Sequence, residues 1–342
     1  MTIRNRKPYI IATAGLVIVT LSEMAAAQSA SLSSSSSSEP ANSAAATQLI
    51  TTTTISQMLT ISNAISARVF SSGGPIAVAG NGQSYGMAAG AMGNKVNVWG
   101  NISDDSNKYS SGANRFNAKA TTATFGADYA LTQTISAGVS AAFDRGTGDR
   151  GTNSNYTAGG YTLAPYASWL INKEFSLDAI AGWGKGTLDS ANSVTSDSTR
   201  FFYGTNLNYV RWAGDLQYSG KLSYLHGEEK YGDTKTAGTT NANTATTNKI
   251  NQLRVGAQVG YWMNGLMPFA GASYVSDSRS VSNLGGGTDP TADLGKTAWL
   301  ATFGVNLIST KNNLTGGIVF NTEMGRSHSK RDTVMANINY RF

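Results

Sequence analysis

The sequence predicts an all-β fold, namely a 12-stranded antiparallel transmembrane β-barrel with an N-terminal helix in its lumen. Three features of residues 96–342 lead to this prediction. Apolar and polar residues alternate along runs of up to 15 residues, short turns and long polar loops follow one another between the runs, and the number of runs is even. This combination is typical of β-barrels in bacterial outer membranes.

Alternation gives the predicted strands one apolar face and one face of polar or small residues. The clearest apolar faces belong to three strands: Phe125, Ala127, Tyr129 and Leu131; Phe175, Leu177, Ala179, Ala181 and Trp183; and Leu253, Val255, Ala257, Val259 and Tyr261. Neighbouring residues of a strand point to opposite faces. Because a closed sheet satisfies every backbone group, we expect the apolar faces to contact lipid and the other faces to line a lumen.

The strands and their connections follow from this pattern. The strands are predicted at 96–104, 118–131, 134–146, 158–171, 174–188, 198–212, 215–228, 250–263, 267–280, 296–309, 312–326 and 330–342. Short turns, such as those at 172–173 and 213–214, should face the periplasm, and long loops such as "GDTKTAGTTNANTATTN" should face outward. Aromatic residues near strand ends are expected to form interfacial girdles: Trp99, Tyr129, Trp169, Trp183, Tyr209, Trp212, Tyr261, Trp262 and Tyr340.

The start of the chain has the order of charged, apolar and small residues that marks a secretory signal peptide. The basic segment "MTIRNRKP" precedes the apolar run "YIIATAGLVIVTL", and Ala25 and Ala27 suit cleavage. We therefore expect residues 1–27 to direct Sec-type export and then to be removed.

Three further segments precede the predicted barrel. Residues 28–47 are rich in Ser and Ala and lack the apolar side chains that would offset the entropy of ordering, so a flexible segment is expected. Residues 48–70 carry apolar side chains at intervals of three or four, which indicates a helix, yet one too polar to face lipid. Residues 71–95 form a Gly-rich connector.

Composition excludes several kinds of chemistry. Charged residues make up 13% of the chain, about half the usual share, and the net charge is +6. The chain has no Cys and only two His, His226 and His328, so thiol nucleophiles and His-based metal sites are not expected. The loop cations are scattered rather than arranged as a basic stripe, which gives no support for nucleic-acid binding. We predict no catalytic residue and no cofactor.

A soluble β-sandwich also shows alternating strands and is the main competing fold. Two observations disfavour it. Most predicted strands have 12–15 residues, whereas strands in soluble proteins usually have about five or six. The final strand, "TVMANINYRF", has one apolar face to its last residue, and in water such an edge would promote aggregation.

Residues 96–342 resemble the C-terminal translocator barrel of type V secretion autotransporters. The resemblance rests on "VNVWGNIS", "TFGADYALTQTISAGVSAAF", "MPFAGASYVSD" and the ending "NINYRF". It implies a location in the outer membrane of a Gram-negative bacterium, contact with lipid, and handling by periplasmic chaperones and the assembly machinery. Ile338, Tyr340 and Phe342 match the family's assembly signal, and residues 48–70 stand where the family has a helix in its pore.

The resemblance also implies a function. The family normally carries a passenger of hundreds of residues before the barrel, whereas here only residues 28–70 and the connector intervene, so a very short exported segment is expected. Two alternatives stay open. One is a passenger-less barrel that acts as an adhesin or interaction protein through its external loops, with a host or matrix ligand. The other is a porin without a helix in its pore.

Charged residues on the predicted inner faces are the candidate site residues. They would grip the helix or tune ion passage, although such charges also serve simply to fill a lumen, and twelve strands should enclose a channel wide enough for a helix. The candidates are Asp128, Asp144, Asp178, Lys185, Lys221, Arg254 and Glu323.

Overall fold

The computed structural model describes residues 96–110, 116–149, 155–190, 194–282, 295–309 and 313–342, which form one antiparallel β-sheet. Its strands are β1 (Val96–Tyr109), β2 (Phe116–Ala130), β3 (Ile135–Asp149), β4 (Asn155–Leu170), β5 (Phe175–Ser190), β6 (Val194–Ala213), β7 (Leu216–Tyr231), β8 (Thr234–Thr236), β9 (Thr239–Asn241), β10 (Thr246–Tyr261), β11 (Leu266–Ser282), β12 (Thr297–Ser309), β13 (Leu314–Met324) and β14 (Ser329–Arg341). The segments predicted at 1–27, 28–47, 48–70 and 71–95 lie outside the described residues.

Twelve of the strands close into a barrel, as predicted. Each pairs with its neighbours along the chain, β7 pairs with β10, and β14 pairs with β1. The remaining two, β8 and β9, form a small hairpin that pairs with the start of β6 at Val194 and Thr195. We call the end of the barrel that carries the short turns the inner end, and the end that carries the β8–β9 hairpin the outer end.

The pairing of β1 with β14 closes the ring. It runs from Asn97 opposite Arg341 to Tyr109 opposite Ser329, and the backbone N–H of Phe342 donates to the carbonyl of Val96 at 2.9 Å. On its other edge β14 pairs with β13. The terminal strand therefore has partners on both edges, and no edge of the twelve-strand ring is left to pair with another chain.

Most strands extend further toward the outer end than the sequence predicted. β1 was expected to end at residue 104 but continues to Tyr109, and β2 begins at Phe116 within a predicted loop. The apolar alternation stops before these positions because they lie beyond the lipid-facing part of the strand. Backbone pairing continues there because a neighbouring strand is available, so periodicity alone could not locate these strand ends.

The outward faces of the strands form a continuous apolar belt. At its outer margin lie Phe143 on β3, Tyr161 on β4 and Trp183 on β5, with 58%, 48% and 53% of their surfaces exposed. A soluble protein would bury most of these side chains, whereas a lipid-facing barrel surface places them in hydrocarbon and at its interfaces. Separately, no helix long and apolar enough to cross a membrane occurs among the described residues.

Short turns at the inner end hold the strand register. At the β10–β11 turn, Asn264 and Gly265 both have positive φ, 54° and 105°, as a two-residue type I′ hairpin turn requires. At the β4–β5 turn, the side-chain oxygen of Asn172 accepts hydrogen bonds from the backbone N–H groups of Glu174 and Phe175, at 2.8 and 2.9 Å.

Aromatic rings cover glycines of neighbouring strands inside the barrel. A Cβ atom added to Gly126 would overlap the indole of Trp99, and one added to Gly182 would overlap the ring of Phe202. Both rings are buried, with exposures of 3% and 0%. We call these ring-on-glycine contacts. They explain why glycine stands on the inner face at positions where any other residue would displace a ring.

Three predicted girdle residues therefore do not face the membrane. Trp99 points into the lumen rather than to a membrane interface, because it shares the face of Asn97 and Asn101 in β1. Trp212 and Trp262 pack beside Met267 and Ile308 in a buried cluster.

The lumen as candidate functional site

The lumen contains a packed half and an open half. The packed half is the inner face of β1–β7, where large side chains meet across the barrel. Its centre is a hydrophobic cluster that reaches as far as β10: Trp99, Ala142, Ala164, Tyr166, Ile180, Phe202, Leu225 and Ile250. The open half is a cavity of about 150 Å³ lined by side chains of β7 and β10–β14.

A buried ion triad holds β3, β6 and β7 together in the packed half. The guanidinium of Arg200 contacts Asp144 at 2.5 Å and Glu229 at 3.4 Å, and the three side chains are at most 2% exposed. The hydroxyl of Ser198 donates to Glu229 at 2.6 Å. Since a charge left alone in such a place costs several kcal/mol, the members of the triad depend on one another.

A second network lies nearer the inner end and includes the predicted residue Asp128. Its carboxylate accepts hydrogen bonds from the amide of Asn97 and the hydroxyl of Tyr166, both at 3.0 Å. The indole N–H of Trp99 donates to the Tyr166 oxygen at 2.7 Å. The ring that covers Gly126 is thus also fixed in direction by a hydrogen bond.

Asp178, on β5, is the centre of a third polar group. Its carboxylate accepts from the hydroxyl of Ser168 and from the amide of Asn208, each at 2.8 Å, and so links β4, β5 and β6. Asp178 is 4% exposed. These three networks link the strands of the packed half around its hydrophobic cluster.

An outer cluster of charges lies just beyond the open half, toward the outer end. Asp277 accepts from Arg279 at 2.7 Å and Arg326 at 2.8 Å, and Arg326 also contacts Glu323 at 2.6 Å. Gln252 donates to Asp277 at 2.8 Å. The two arginines and two carboxylates balance, so this cluster ties β10, β11 and β13 together without adding net charge.

The open half differs in its charge. Lys221 and Arg254 line it, and its other polar lining groups are amides and hydroxyls; none of the described residues that line it is acidic. Apolar side chains complete the wall: Met267, Phe269, Ile308, Val319 and Met335. A cavity of this kind can hydrogen-bond a polar chain and can attract negative charge.

Six of the seven predicted site residues lie on the inner face, in different places. Asp128, Asp144 and Asp178 belong to separate networks of the packed half. Glu323 belongs to the outer cluster. Only Lys221 and Arg254 come together, in the open half.

The prediction for Lys185 is wrong. On β5 the buried residues are the even-numbered ones, such as Asp178 and Ile180, whereas Lys185 has the parity of the exposed Trp183. The side chain is exposed on the outer surface of the barrel, just beyond the apolar belt. A cation is tolerated there because this position lies outside hydrocarbon.

Several important charges were not predicted from the sequence. Arg200 and Glu229 complete the triad, and Asp277, Arg279 and Arg326 form most of the outer cluster. Strand parity could have indicated Arg200, since it shares a face with Asn206 and Asn208. The side chains that these groups contact, however, come from distant parts of the chain.

The two histidines lie outside the lumen. His226 lies on the outward face of β7, where its Nδ1 is 2.7 Å from the side-chain oxygen of Asn251. His328 lies in the β13–β14 connection with a φ of 55°. In the ranges that the structure describes, no group of three or more His, Asp or Glu residues is arranged to hold a metal ion.

Comparison with known proteins settles the family. The sequence model of the autotransporter beta-domain matches residues 98–320, more than half of the 342-residue chain. The chain belongs to the autotransporter beta-domain family. It is thus a translocator β-barrel of the Gram-negative outer membrane. Barrels of this family embed in that membrane and interact with its assembly machinery, and the domain is in general a transport domain rather than an enzyme.

Solved structures share the fold of this autotransporter barrel. The translocator domain of the autotransporter NalP from Neisseria meningitidis matches with a TM-score of 0.60 at 13% identity, covering 73% of this chain and 90% of that chain. The beta domain of the Bordetella autotransporter BrkA gives 0.59 at 12%, covering 73% and 100%. The transport unit of AIDA-I from Escherichia coli gives 0.50 at 11%, covering 84% and 99%. No curated protein matches the sequence.

Proposed function

We propose that this autotransporter barrel holds the segment that precedes it inside the open half of its lumen, and that it performs no enzymatic reaction. Residues 48–70 would lie in the pore as a helix, and residues 28–47 would be displayed outside. The lining of the open half is the observation that carries the proposal: cations, amides and hydroxyls of β7 and β10–β14 face into it, whereas side chains that meet across the barrel fill the other half.

The chemistry of the open half suits residues 48–70. This segment is rich in Thr and Ser and has one charged residue, Arg68. The amide and hydroxyl groups that line the cavity can bond to such side chains, and Met267, Phe269 and Met335 offer contacts to the segment's apolar face. As a helix the segment would be about 35 Å long, enough to cross the hydrocarbon of a bilayer.

The start of the barrel supports the same path. Val96 lies at the inner end, where its carbonyl accepts the N–H of Phe342. A preceding segment therefore enters β1 from the periplasmic side. If its N-terminal part is to reach the cell surface, the lumen offers a route that avoids lipid.

Deletion of residues 48–70 tests the occupied pore. We expect the conductance of the deletion variant in planar bilayers to rise well above that of the full mature chain. Equal conductance would contradict the proposal and would favour a porin without a helix in its pore.

Cysteine pairs give an independent test, because the chain has no cysteine of its own. A cysteine at Ile61 combined with one at Gln258, which lines the open half, should form a disulfide under mild oxidation. The matched control pairs Ile61→Cys with Val259→Cys, the next residue along β10, which faces outward and is 44% exposed. Equal crosslinking of both pairs would argue against a segment held in the lumen.

Surface display requires a separate experiment. A single cysteine placed between residues 28 and 47 should react with a membrane-impermeant maleimide in intact cells. Protection in intact cells, combined with reaction after the outer membrane is opened, would show that this segment stays in the periplasm. The export part of the proposal would then fail.

The assembly machinery is proposed to recognise the last strand. The side chains of Ile338, Tyr340 and Phe342 lie on the outward face of β14 and are 38%, 38% and 58% exposed, and the rings of Tyr340 and Phe342 meet edge to face at 4.7 Å. These three side chains do not line the lumen. A Phe342→Ser variant should therefore assemble poorly in cells while the fraction that does assemble keeps nearly the parent's thermal stability.

One observation favours the alternative of a surface-interaction protein. The β7–β10 connection is ordered: Asp233 accepts from the backbone N–H groups of Thr244 and Ala245, both at 2.9 Å, and β8 pairs with β6. An ordered outer hairpin can present a fixed surface to a host or matrix ligand. Replacing residues 234–245 by a Gly-Ser linker should abolish adhesion of expressing cells to such a ligand if this alternative holds.

A further inference from the structure

Two basic side chains stand together on the outer surface, directly beyond the apolar belt. Arg145 follows Phe143 on the outward face of β3, and Lys185 follows Trp183 on the outward face of β5. β4 lies between these strands: Arg145 is paired with Gly159 and Lys185 with Tyr161. Adjacent strands are about 4.8 Å apart, so the backbones of β3 and β5 are about 10 Å apart.

Neither cation is neutralised by its surroundings. Both side chains are exposed, and neither forms an ion pair with another residue that the structure describes. Their other cross-strand neighbours are Thr121 on β2 and Thr199 on β6. Two positive charges therefore face the same small area, and none of their cross-strand partners is a carboxylate.

The surface between the two cations is open and has an aromatic margin. Gly159 has no side chain, and a Cβ added there would meet only the carbonyl of Asp144, at 3.4 Å. Next to these residues, in the direction of the inner end, the exposed rings of Phe143, Tyr161 and Trp183 lie on the same outer surface. We call Arg145, Gly159 and Lys185 the basic notch.

We propose that the basic notch binds a phosphate group of an outer-leaflet glycolipid whose acyl chains lie along the apolar belt. The notch lies at the outer end, where the belt meets the headgroups of the outer leaflet, and in Gram-negative bacteria this leaflet carries phosphorylated glycolipid. An arginine fork and a lysine ammonium are the usual protein partners of phosphate. This inference does not depend on what occupies the pore.

The rest of the outer margin argues for a specific position rather than a general basic ring. On β7 and β10, Lys230 and Lys249 both pair with Glu228, at 3.0 and 3.2 Å. On β14, Lys330 pairs with Asp332 at 3.3 Å. At the same margin β11 has serines on its outward face and β12 has Thr297. Among the described residues, the strand cations that face outward at this margin without an ion pair thus lie on one side of the barrel: Lys108 on β1 and Lys119 on β2, beside the two cations of the basic notch.

Lipid binding by the full mature chain in neutral detergent tests the proposal. Native mass spectrometry would compare bisphosphorylated lipid A with the same lipid after dephosphorylation. We expect the parent chain to prefer the phosphorylated lipid and the Arg145→Gln/Lys185→Gln variant to bind it about tenfold or more weakly, with equal binding of the dephosphorylated form. Added NaCl should weaken the parent's preference, because exposed charges are screened.

The matched control is Lys230→Gln/Lys249→Gln, which removes two cations at the same margin that already have a carboxylate partner. This control should keep the parent's preference, and heat-modifiable gel migration verifies that each variant is folded. The proposal fails if the parent does not distinguish the two lipids, if the notch variant keeps the full preference, or if both double variants lose it equally. It also fails if excess inorganic phosphate displaces the lipid, since the notch would then be a site for a free anion.

Discussion

The packed half and the open half of the lumen are built from the same sheet but hold their cations differently. In the packed half, Arg200 is enclosed between two carboxylates and is almost wholly buried. In the open half, Arg254 lines a cavity and forms no ion pair within the described ranges. Buried ion pairs therefore hold one half together, whereas the described cation of the other half has no such pair, so equal changes in the two halves should have unequal effects.

Removal of Arg200 should have the largest effect. Arg200→Leu would leave Asp144 and Glu229 as two buried carboxylates without their shared cation. We expect a loss of about 3–5 kcal/mol in the free energy of unfolding. Urea titration of the folded barrel in detergent, followed by heat-modifiable migration, measures it.

The control for Arg200 breaks an ion pair on the surface. Lys235→Gln removes the contact with Asp197, in which both side chains are about half exposed or more. Its effect should be at most about 1 kcal/mol. Similar losses of unfolding free energy for Arg200→Leu and Lys235→Gln would mean that the buried triad contributes no more stability than a surface ion pair.

Filling a ring-on-glycine contact should have the next largest effect. Gly126→Ala places a methyl group where the Trp99 indole lies, and the ring must move within a closely packed half. We expect a loss of about 1–3 kcal/mol in the free energy of unfolding. The same urea titration applies.

Gly220→Ala is the matched control for Gly126→Ala. Gly220 is also on a barrel strand, but the nearest atom to an added Cβ is Cβ of Tyr209 at 3.8 Å, an ordinary contact. Its stability should stay within about 0.5 kcal/mol of the parent. If it fell as much as Gly126→Ala, the cost would reflect strand glycines in general.

A smaller effect is expected from Trp99→Phe. The substitution keeps an aromatic ring over Gly126 but removes the indole donor that bonds to Tyr166 at 2.7 Å. The expected loss is about 1 kcal/mol, typical of one buried hydrogen bond. Tyr166→Phe should then destabilise the Trp99→Phe variant less than it destabilises the parent, because the two residues share that hydrogen bond.

The smallest effect on stability belongs to Arg254. Arg254→Gln removes a cation that has no carboxylate to leave behind, so the free energy of unfolding should change by less than about 1 kcal/mol. In a chain that lacks residues 48–70, however, Arg254→Glu should shift ion selectivity in planar bilayers toward cations. A stability loss as large as that of Arg200→Leu would remove the distinction between the two halves.

The sequence predicted the barrel because lipid and lumen impose opposite demands on alternate residues. The faces of Phe125, Phe175 and Leu253 were assigned correctly from alternation alone, and short turns such as Asn264–Gly265 located strand reversals. The strand ends beyond the apolar belt were not predicted, because neither face of a strand is apolar there.

The arrangement inside the barrel was less predictable. Arg200 meets Asp144 across 56 residues of sequence, and which inner-face charges meet depends on the stagger of the strands around the ring. Lys185 was placed inside although it shares the parity of Trp183. The local alternation carried the right answer, since the belt ends between these two residues.

The seam between the first and last strands has a consequence for how the protein is made. Arg331 and Asp105, which bond across it, are separated by 226 residues of sequence. β1 is therefore synthesised long before β14. The backbone groups on its β14-facing edge stay unpaired while the other eleven barrel strands are synthesised and exported. Contacts so distant along the chain are slow to form. We therefore expect the chain to cross the periplasm with an unpaired strand edge. This edge must be shielded from other chains until the barrel inserts into the membrane.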